Sequence, residues 1–154
     1  MTMLLVRHAH AGERAGWRDD DRGRPLSAKG IEQARALVDV LADHPIDRVL
    51  SSPYTRCLQS VEPLAAARGL KVEPADVLAE GTGGEAVATL LAGLIEQDVA
   101  LCTHGDVLQE ALFWLGTQGV ELGSDLRFQK SSTWVIETSA GAPTTARYLA
   151  PPKV

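Results

Sequence analysis

Four residues able to bind or attack a phosphoryl group lie at or just past the ends of short strand-like runs in this sequence. They are Arg7 and His8 after the run 3–6, Arg56 after 48–51, and His104 after 99–103. Open α/β sheets bind ligands at the carboxyl ends of their strands. Arginine keeps its charge and its planar fork fits phosphate oxygens, while a neutral imidazole can act as a nucleophile. The spacing therefore predicts a phosphate pocket at one edge of a sheet.

The motifs around these residues resemble those of the histidine phosphatase (phosphoglycerate-mutase-like) superfamily. The similarity rests on four segments in the order of that superfamily: Arg7-His8, Arg24-Pro25-Leu26-Ser27 with Gly30, Ser51-Ser52-Pro53 with Arg56 and Gln59, and Thr103-His104-Gly105. The segment around Arg24 resembles the small SixA-like branch of phosphohistidine phosphatases. Ala9 stands where the superfamily more often has glycine, and a small residue fits there.

The resemblance implies a metal-independent phosphatase that works through a covalent phosphohistidine at His8. Arg7 and Arg56 are then expected to hold the phosphoryl oxygens, and His104 to be the second imidazole of the pocket. Fixed positive charge is what phosphoryl transfer mainly needs, so no cofactor or metal ion is expected. The implied partner is a phosphohistidine protein or a small phosphorylated molecule.

A second likeness bears on that choice of substrate. The opening motif, the segment 132–135 and the long basic loop are similar to the histidine phosphatase domain fused to Nudix hydrolases in actinobacteria. This similarity favours a nucleotide-type substrate over a phosphohistidine protein. A mutase is less expected, because those relatives carry insertions for which this chain has no room.

Two acids compete for the role of proton donor to the leaving group. Glu80 stands in the loop after the third predicted strand, where phosphomonoesterase relatives carry an acid. Asp106 follows His104, where the acid-phosphatase relatives carry theirs, but it also fits the first turn of a helix. Glu80 is the favoured catalytic acid, and Asp106 is kept as a substrate-binding candidate together with Ser52.

The connection 9–26 is polar, lacks periodicity and is longer than the roughly 4–6 residues of most connections, which indicates a functional loop over the pocket. It carries four arginines, Arg14, Arg18, Arg22 and Arg24, of which Arg14 and Arg24 are the substrate-binding candidates. These cations could bind the rest of a polyanionic substrate. They could equally neutralise the aspartates at 19–21.

Two other function classes stay open at this stage. A metal-dependent hydrolase could use His8, His10 and His104 with an aspartate of 19–21. A catalytically silent phosphate-binding module could keep the same residues without turnover.

Composition sets the remaining expectations. The chain has 154 residues, 45% of them hydrophobic, and a net charge of −5. This fits one globular domain over residues 1–154 and argues against a nucleic-acid surface. No apolar run approaches the roughly 18 residues of a membrane span, and no secretory leader is visible, so we expect a cytoplasmic monomer that does not bind membranes. The two cysteines, Cys57 and Cys102, are expected to be reduced core residues.

The periodicity predicts strands that alternate with helices. Strands are expected at 3–6, 48–51, 71–75 and 99–103, with a closing hairpin at 133–137 and 144–149, and helices at 28–42, 53–68, 85–96 and 106–115. Ser27 is the expected N-cap of the first helix, and Pro63 should kink or interrupt the second. Alternation of this kind predicts an α/β fold, a three-layer α/β/α sandwich whose mostly parallel sheet has an antiparallel edge.

Overall fold

The first strand lies in the middle of a six-stranded sheet in the computed structural model, which describes residues 1–154. The elements in chain order are β1 (Thr2–Arg7), α1 (Ala28–Val40), β2 (Arg48–Ser51), α2 (Thr55–Ala67), β3 (Val72–Pro74), α3 (Gly84–Gly93), β4 (Val99–Thr103), α4 (Gly105–Thr117), β5 (Thr133–Ser139) and β6 (Ala142–Leu149). Short 3-10 turns cover Arg14–Gly16, Asp21–Gly23 and Asp76–Leu78.

The strand order is β3-β2-β4-β1-β5-β6. The first four strands in this order are mutually parallel, and β5 and β6 are antiparallel to their neighbours. This confirms the predicted mostly parallel sheet with an antiparallel edge. The register places Arg7 beside Thr103 and Ser51 beside Cys102, so β1, β4 and β2 end at the same edge.

Side-chain alternation along the central strands builds two cores, one on each face. Met3 and Leu5 point to the face covered by α3 and α4, whereas Leu4 and Val6 point to the face covered by α1 and α2. A strand that is buried on both faces has a continuous run of apolar residues, as β1 has at residues 3–6. The three-layer arrangement is thereby confirmed. No helix is both long and apolar enough to cross a membrane.

The first helix differs from its predicted burial pattern in a way that concerns the site. Ser27 is the N-cap, as predicted, and its hydroxyl accepts a hydrogen bond from Gly30 N–H. However, Ile31 is 41% exposed, although its spacing places it on the buried face. Gly30 is buried instead: the carbonyl oxygen of His10 lies so close to it that any side chain there would collide. The first turn of α1 therefore packs on the loop that leaves β1.

The second helix also departs from prediction at its start and at its proline. It begins at Thr55, two residues later than expected, because Ser52 N–H still donates to Cys102 O and keeps the chain in the sheet. Ser52 Oγ accepts from Tyr54 N–H instead of capping a helix that starts at Pro53. The expected interruption at Pro63 is wrong, since the helix continues through it to Ala67. The buried residues around it, Val61, Leu64 and Ala65, hold both halves against the core.

Candidate active site

Three neighbouring strands deliver the predicted site residues to one edge of the sheet. His8 N–H donates to Thr103 O at 3.1 Å and so extends the β1–β4 ladder by one residue. His104 directly follows β4, and Arg56 lies in the first turn of α2, just past β2. The convergence predicted from strand ends is what the structure shows.

A cleft of about 330 Å³ opens at this edge, and none of its lining residues is hydrophobic. The lining comprises Arg7, His8, His10, Gly12, Glu13, Arg14, Arg24, Arg56, Glu80, His104, Gly105 and Lys130. Seven of the nine site residues named from the sequence belong to this set. The other two do not line the cleft: Ser52 contacts His104, which does, and Asp106 contacts Gly81, which adjoins Glu80.

His8 is buried and held in one orientation. Its Nδ1 lies 2.8 Å from Ala9 O, and because a carbonyl only accepts, Nδ1 carries the hydrogen and Nε2 keeps its lone pair. Burial is the main cause that lowers the pKa of His8 to about 3, and the nearby His104, Arg56 and Arg7 lower it further against the opposing hydrogen bond to Ala9. The imidazole is thus neutral at pH 7, as a nucleophile must be.

Arg56 is almost fully buried, at 1% exposure, and its guanidinium is fixed before any ligand binds. Nη1 donates to the backbone carbonyl of Asp21 at 2.9 Å, and Nη2 donates to the Asp21 carboxylate at 3.1 Å. The guanidinium also lies over the Tyr54 ring, with 4.9 Å between Cζ and the ring centroid. Its Nε is buried and has no partner.

Arg7 is positioned by a backbone carbonyl and by a glycine. Nη1 donates to Phe128 O at 2.9 Å, and Nε is again buried without a partner. A Cβ at Gly105 would lie 3.1 Å from Cζ of Arg7, closer than ordinary packing allows. The glycine after His104 therefore makes room for the guanidinium of the neighbouring strand.

His104 is held by the residues in front of α2. Its Nε2 lies 2.8 Å from Ser52 Oγ and 3.5 Å from Cys57 Sγ. Tyr54 N–H donates to Ser52 Oγ, which leaves the hydroxyl hydrogen free for donation to Nε2; in that arrangement Nδ1 carries the ring hydrogen. That Nδ1 is buried and unpaired, as are Nε of Arg7 and Nε of Arg56.

Buried nitrogens without an acceptor are costly, at about 1–3 kcal/mol each for a lost partner, and a native protein keeps few of them. Here three such nitrogens belong to three residues that line one cleft. The oxygens of a phosphoryl group are acceptors that would satisfy them. The positive charges that line the cleft and its unpaired nitrogens both indicate an anion-binding site.

The two candidate acids have different positions. Glu80 lines the cleft, with Oε1 3.4 Å from Arg14 Nη2 and 3.8 Å from Arg56 Nη2. Asp106 is exposed and accepts a hydrogen bond from Gly81 N–H at 2.8 Å. Asp106 therefore braces the loop that presents Glu80. Of the two acids, only Glu80 lines the cleft.

The basic loop divides into residues that line the cleft and residues that do not. Arg24 lines it but is buried, and it donates to the Asp21 carboxylate and to the carbonyls of Ala11 and Gly12, which folds the loop. Arg14 stands at the mouth with 65% of its side chain exposed. Arg18 and Arg22 are absent from the lining.

Sequence reasoning missed two residues here. Asp21 was expected only as one of three neutralising acids, yet its carboxylate contacts Arg14, Arg24 and Arg56. Burial alone would raise the pKa of Asp21, but the hydrogen bond from Arg24 and the three positive charges outweigh burial and lower it. Lys130 is the second missed residue. Its position just before the segment 132–135 is the signal that could have singled it out.

The three histidines of the metal-site hypothesis, His8, His10 and His104, all line the cleft, but they do not form a metal site. No group of three or more histidine, cysteine or acidic side chains is arranged to hold a metal ion. His10 lines the cleft, but its Nδ1 is engaged with Ser27 Oγ at 2.6 Å. Cys57 and Cys102 are buried free thiols, as expected of core residues.

Comparison with known proteins places this geometry in a family. A relative, the 8-oxo-(d)GTP phosphatase of Mycolicibacterium smegmatis, is 31% identical over 98% of this chain, and the chain spans about half (48%) of that protein. Among solved structures, the protein histidine phosphatase SixA complexed with tungstate has a TM-score of 0.78 at 21% identity, covering 98% of this chain and 97% of that one. A mycobacterial glucosyl-3-phosphoglycerate phosphatase has a TM-score of 0.69 at 15% identity, covering 96% of each chain.

At such low identities the structural matches show a shared fold. The family model described as histidine phosphatase superfamily (branch 1) matches residues 3–87, more than half of the chain. That range contains the β1 strand with Arg7 and His8, the basic loop, Arg56 and Glu80. The chain therefore belongs to branch 1 of the histidine phosphatase superfamily.

Proposed function

We propose that this protein is a metal-independent phosphatase that transfers a phosphoryl group to Nε2 of His8 and then to water. The observation that carries the proposal is the state of His8: buried, neutral, and oriented by Ala9 so that Nε2 has a free lone pair. Three buried nitrogens without partners surround the same cleft, on Arg7, Arg56 and His104.

The reaction follows from these positions. The phosphoryl oxygens accept hydrogen bonds from the two guanidiniums and from His104, which neutralises their charge. Nε2 of His8 forms a bond to phosphorus as the bond from phosphorus to the leaving oxygen breaks. Where the leaving group is an alcohol, Glu80 delivers a proton to it. A water molecule then attacks phosphorus, the N–P bond breaks, and inorganic phosphate leaves with Nε2 restored.

The substrate proposed is a small phosphorylated molecule of nucleotide type. Support comes from the 8-oxo-(d)GTP phosphatase relative, whose similarity extends over 98% of this chain. The polar cleft and its exposed Arg14 suit a substrate that carries more anionic charge than the transferred phosphoryl group alone. The alternative substrate, a phosphohistidine protein as the SixA resemblance implies, is supported by the shared fold.

The test is hydrolysis of 4-nitrophenyl phosphate, with and without EDTA, by the native chain, by His8→Ala and by His44→Ala. We expect turnover that survives EDTA and falls by about three orders of magnitude or more in His8→Ala, since the nucleophile is lost. His44 lies outside the cleft, so His44→Ala should retain full activity. A phosphoprotein that is stable in base and labile in acid should be trapped by alkaline quench of the native chain and of His44→Ala, but not of His8→Ala.

Loss of turnover in EDTA would refute the metal-independent mechanism. Full activity in His8→Ala would refute His8 as the nucleophile.

A further inference from the structure

A strained turn lies directly against the backbone of the nucleophile. Ser131 is buried and has φ of 67°, a left-handed conformation that residues other than glycine seldom adopt. Its N–H donates to both Arg7 O, at 3.1 Å, and His8 O, at 3.0 Å. Arg7 N–H in turn donates to Ser132 O at 3.0 Å. The turn is thus tied to the Arg7-His8 pair by its own main chain.

Strained backbone that persists in a folded protein clusters at functional sites, and the observed strain motivates a search for what it positions. The residue before Ser131 is Lys130, whose side chain lines the cleft. The strained turn and its hydrogen bonds fix the position of the Lys130 backbone relative to His8. Its ammonium is then free to follow a ligand, because the four-carbon stem is flexible.

Lys130 differs from most other cations of the cleft in having no counter-charge. Arg14, Arg24 and Arg56 are all paired with Asp21, and two of them also contact Glu80. Lys130 makes no ion pair and no side-chain hydrogen bond. Loss of hydration lowers the pKa of Lys130, and the positive charges of Arg7 and Arg24 lower it further, against a weaker opposing effect of Glu13.

An uncompensated ammonium among guanidiniums is unfavourable in the empty cleft and becomes favourable when an anion arrives. The transferred phosphoryl group already has Arg7, Arg56 and His104 as partners. A second anionic group on the substrate would therefore explain the lysine. A phosphate attached directly to the transferred phosphoryl group is the nearest such group that a nucleotide offers.

We infer that Lys130 is a substrate-binding residue that selects phosphoanhydrides, by contacting the phosphate that departs. This inference rests on the proposed function and names its substrate class. Nε2 of His8 bonds to the terminal phosphorus, the bridging P–O bond breaks, and the departing phosphate takes the electron pair. The ammonium neutralises the charge that develops on it. A departing phosphate is a weak base, so this step needs no proton from Glu80.

The experiment compares two substrates in the full chain: guanosine diphosphate, which is a phosphoanhydride, and 4-nitrophenyl phosphate, which carries a single phosphate. The variants are Lys130→Met, which keeps length without charge, and Lys130→Arg, which restores charge. Arg127→Met is the matched control, because Arg127 lies in the same connection and pairs with Asp125 on the surface.

In Lys130→Met we expect kcat/KM for guanosine diphosphate to fall about 10- to 100-fold, the range of one charged hydrogen bond, with less than about threefold change for the aryl phosphate. Lys130→Arg should recover most of the loss, and Arg127→Met should match the native chain. If Lys130 had a merely structural role, Lys130→Met would lower kcat/KM for both substrates together, and this result would overturn the inference.

Two further outcomes separate the inference from the proposed function. If the native chain hydrolyses the aryl phosphate but not guanosine diphosphate, the phosphoanhydride inference is wrong and the proposed function stands. If it hydrolyses neither, the proposed function itself is refuted.

Discussion

Acidification should destabilise this protein through His8, and the size of the effect follows from the burial of that side chain. The pKa of His8 falls from the ordinary 6.5 to about 3 in the folded chain, because burial excludes water from the charged form. In the unfolded chain the imidazole regains its ordinary pKa. Between about pH 3 and 6.5 the unfolded state therefore binds more protons than the folded state, and stability falls as the pH falls.

The magnitude is obtained by integrating the proton difference. One pKa unit corresponds to 1.36 kcal/mol, and between pH 7 and pH 4 the protonated fraction of the unfolded His8 rises from about a quarter to nearly one, while that of the folded His8 rises little. The free energy of unfolding should thus drop by about 3 kcal/mol over that interval from this residue alone. In urea this equals a midpoint shift of about 1–3 M.

The assay is urea unfolding of the native chain and of His8→Asn at pH 7, 6, 5 and 4, followed by tryptophan fluorescence at constant ionic strength. Asparagine can still donate to Ala9 O but does not titrate in this range. Protonation of carboxylates such as Asp21, whose pKa is lowered in the folded state, also destabilises the fold in acid, but it does so in both proteins. The difference between the two proteins therefore isolates the imidazole.

The stability difference between the two proteins should change by about 3 kcal/mol in favour of His8→Asn as the pH falls from 7 to 4. Parallel pH curves for the native chain and the variant would refute the depressed pKa. Such parallel curves would also show that His8 does not stay neutral in the folded protein below pH 6.5.

Two substitutions should disturb the phosphate pocket without touching His8. Gly105→Ala should lower kcat/KM for an aryl phosphate by about tenfold or more, because the new Cβ would displace the guanidinium of Arg7 at 3.1 Å. Asp21→Asn should lower it by about tenfold and raise KM, because the ionic contact that fixes Arg56 is lost, which steady-state kinetics will measure.

Each of these two substitutions has a matched control. Gly116→Ala lies in the same helix as Gly105, but a Cβ there meets nothing within 4 Å. Asp19→Asn removes an exposed charge from the same loop as Asp21 and makes none of its contacts. If either control loses as much activity as its partner, the positional explanation is wrong.

The part of the site that could be predicted is the part that strands position. His8 and His104 follow buried strands directly, and parallel strands of one sheet end at the same edge. A strand end leaves little freedom in the position of the next residue, so the pattern of apolar runs was enough to bring the two histidines together. Arg56 was predictable for a related reason, since it stands one short turn beyond β2.

The residues that escaped prediction are positioned by loops. Asp21 reaches three arginines because the 3-10 turn Asp21–Gly23 lies at the cleft, where its carboxylate pairs with the nearby Arg24 and with Arg56, which is 35 residues away in sequence. Lys130 depends on the turn at Ser131, which is set by hydrogen bonds to β1. Neither arrangement has a local periodicity from which it could be inferred.

The exposure of Ile31 has the same origin. Its spacing in α1 matches the apolar positions that face the sheet, so periodicity alone assigns it to the core. The backbone of the loop after β1 occupies that space instead, and Gln33 Oε1 accepts from His10 N–H there. Hydrophobic patterning does not encode such a contact between a helix and a non-helical segment.

The two kinds of cation in the cleft suit two different tasks. Arg56 is held at both Nη atoms by Asp21, and Arg7 is held by Phe128 O, so neither guanidinium needs to reorganise as charge develops on the phosphoryl oxygens. Such preorganisation is what makes electrostatic stabilisation effective in the transition state. Lys130 has a fixed backbone and a free ammonium, so it can meet leaving groups of different length. The rigid pair Arg7 and Arg56 should therefore govern the chemical step, and the mobile Lys130 the choice of substrate. Substitution of Lys130 should change the ratio of kcat/KM between the two substrates, whereas substitution of Arg56 should lower kcat/KM for both.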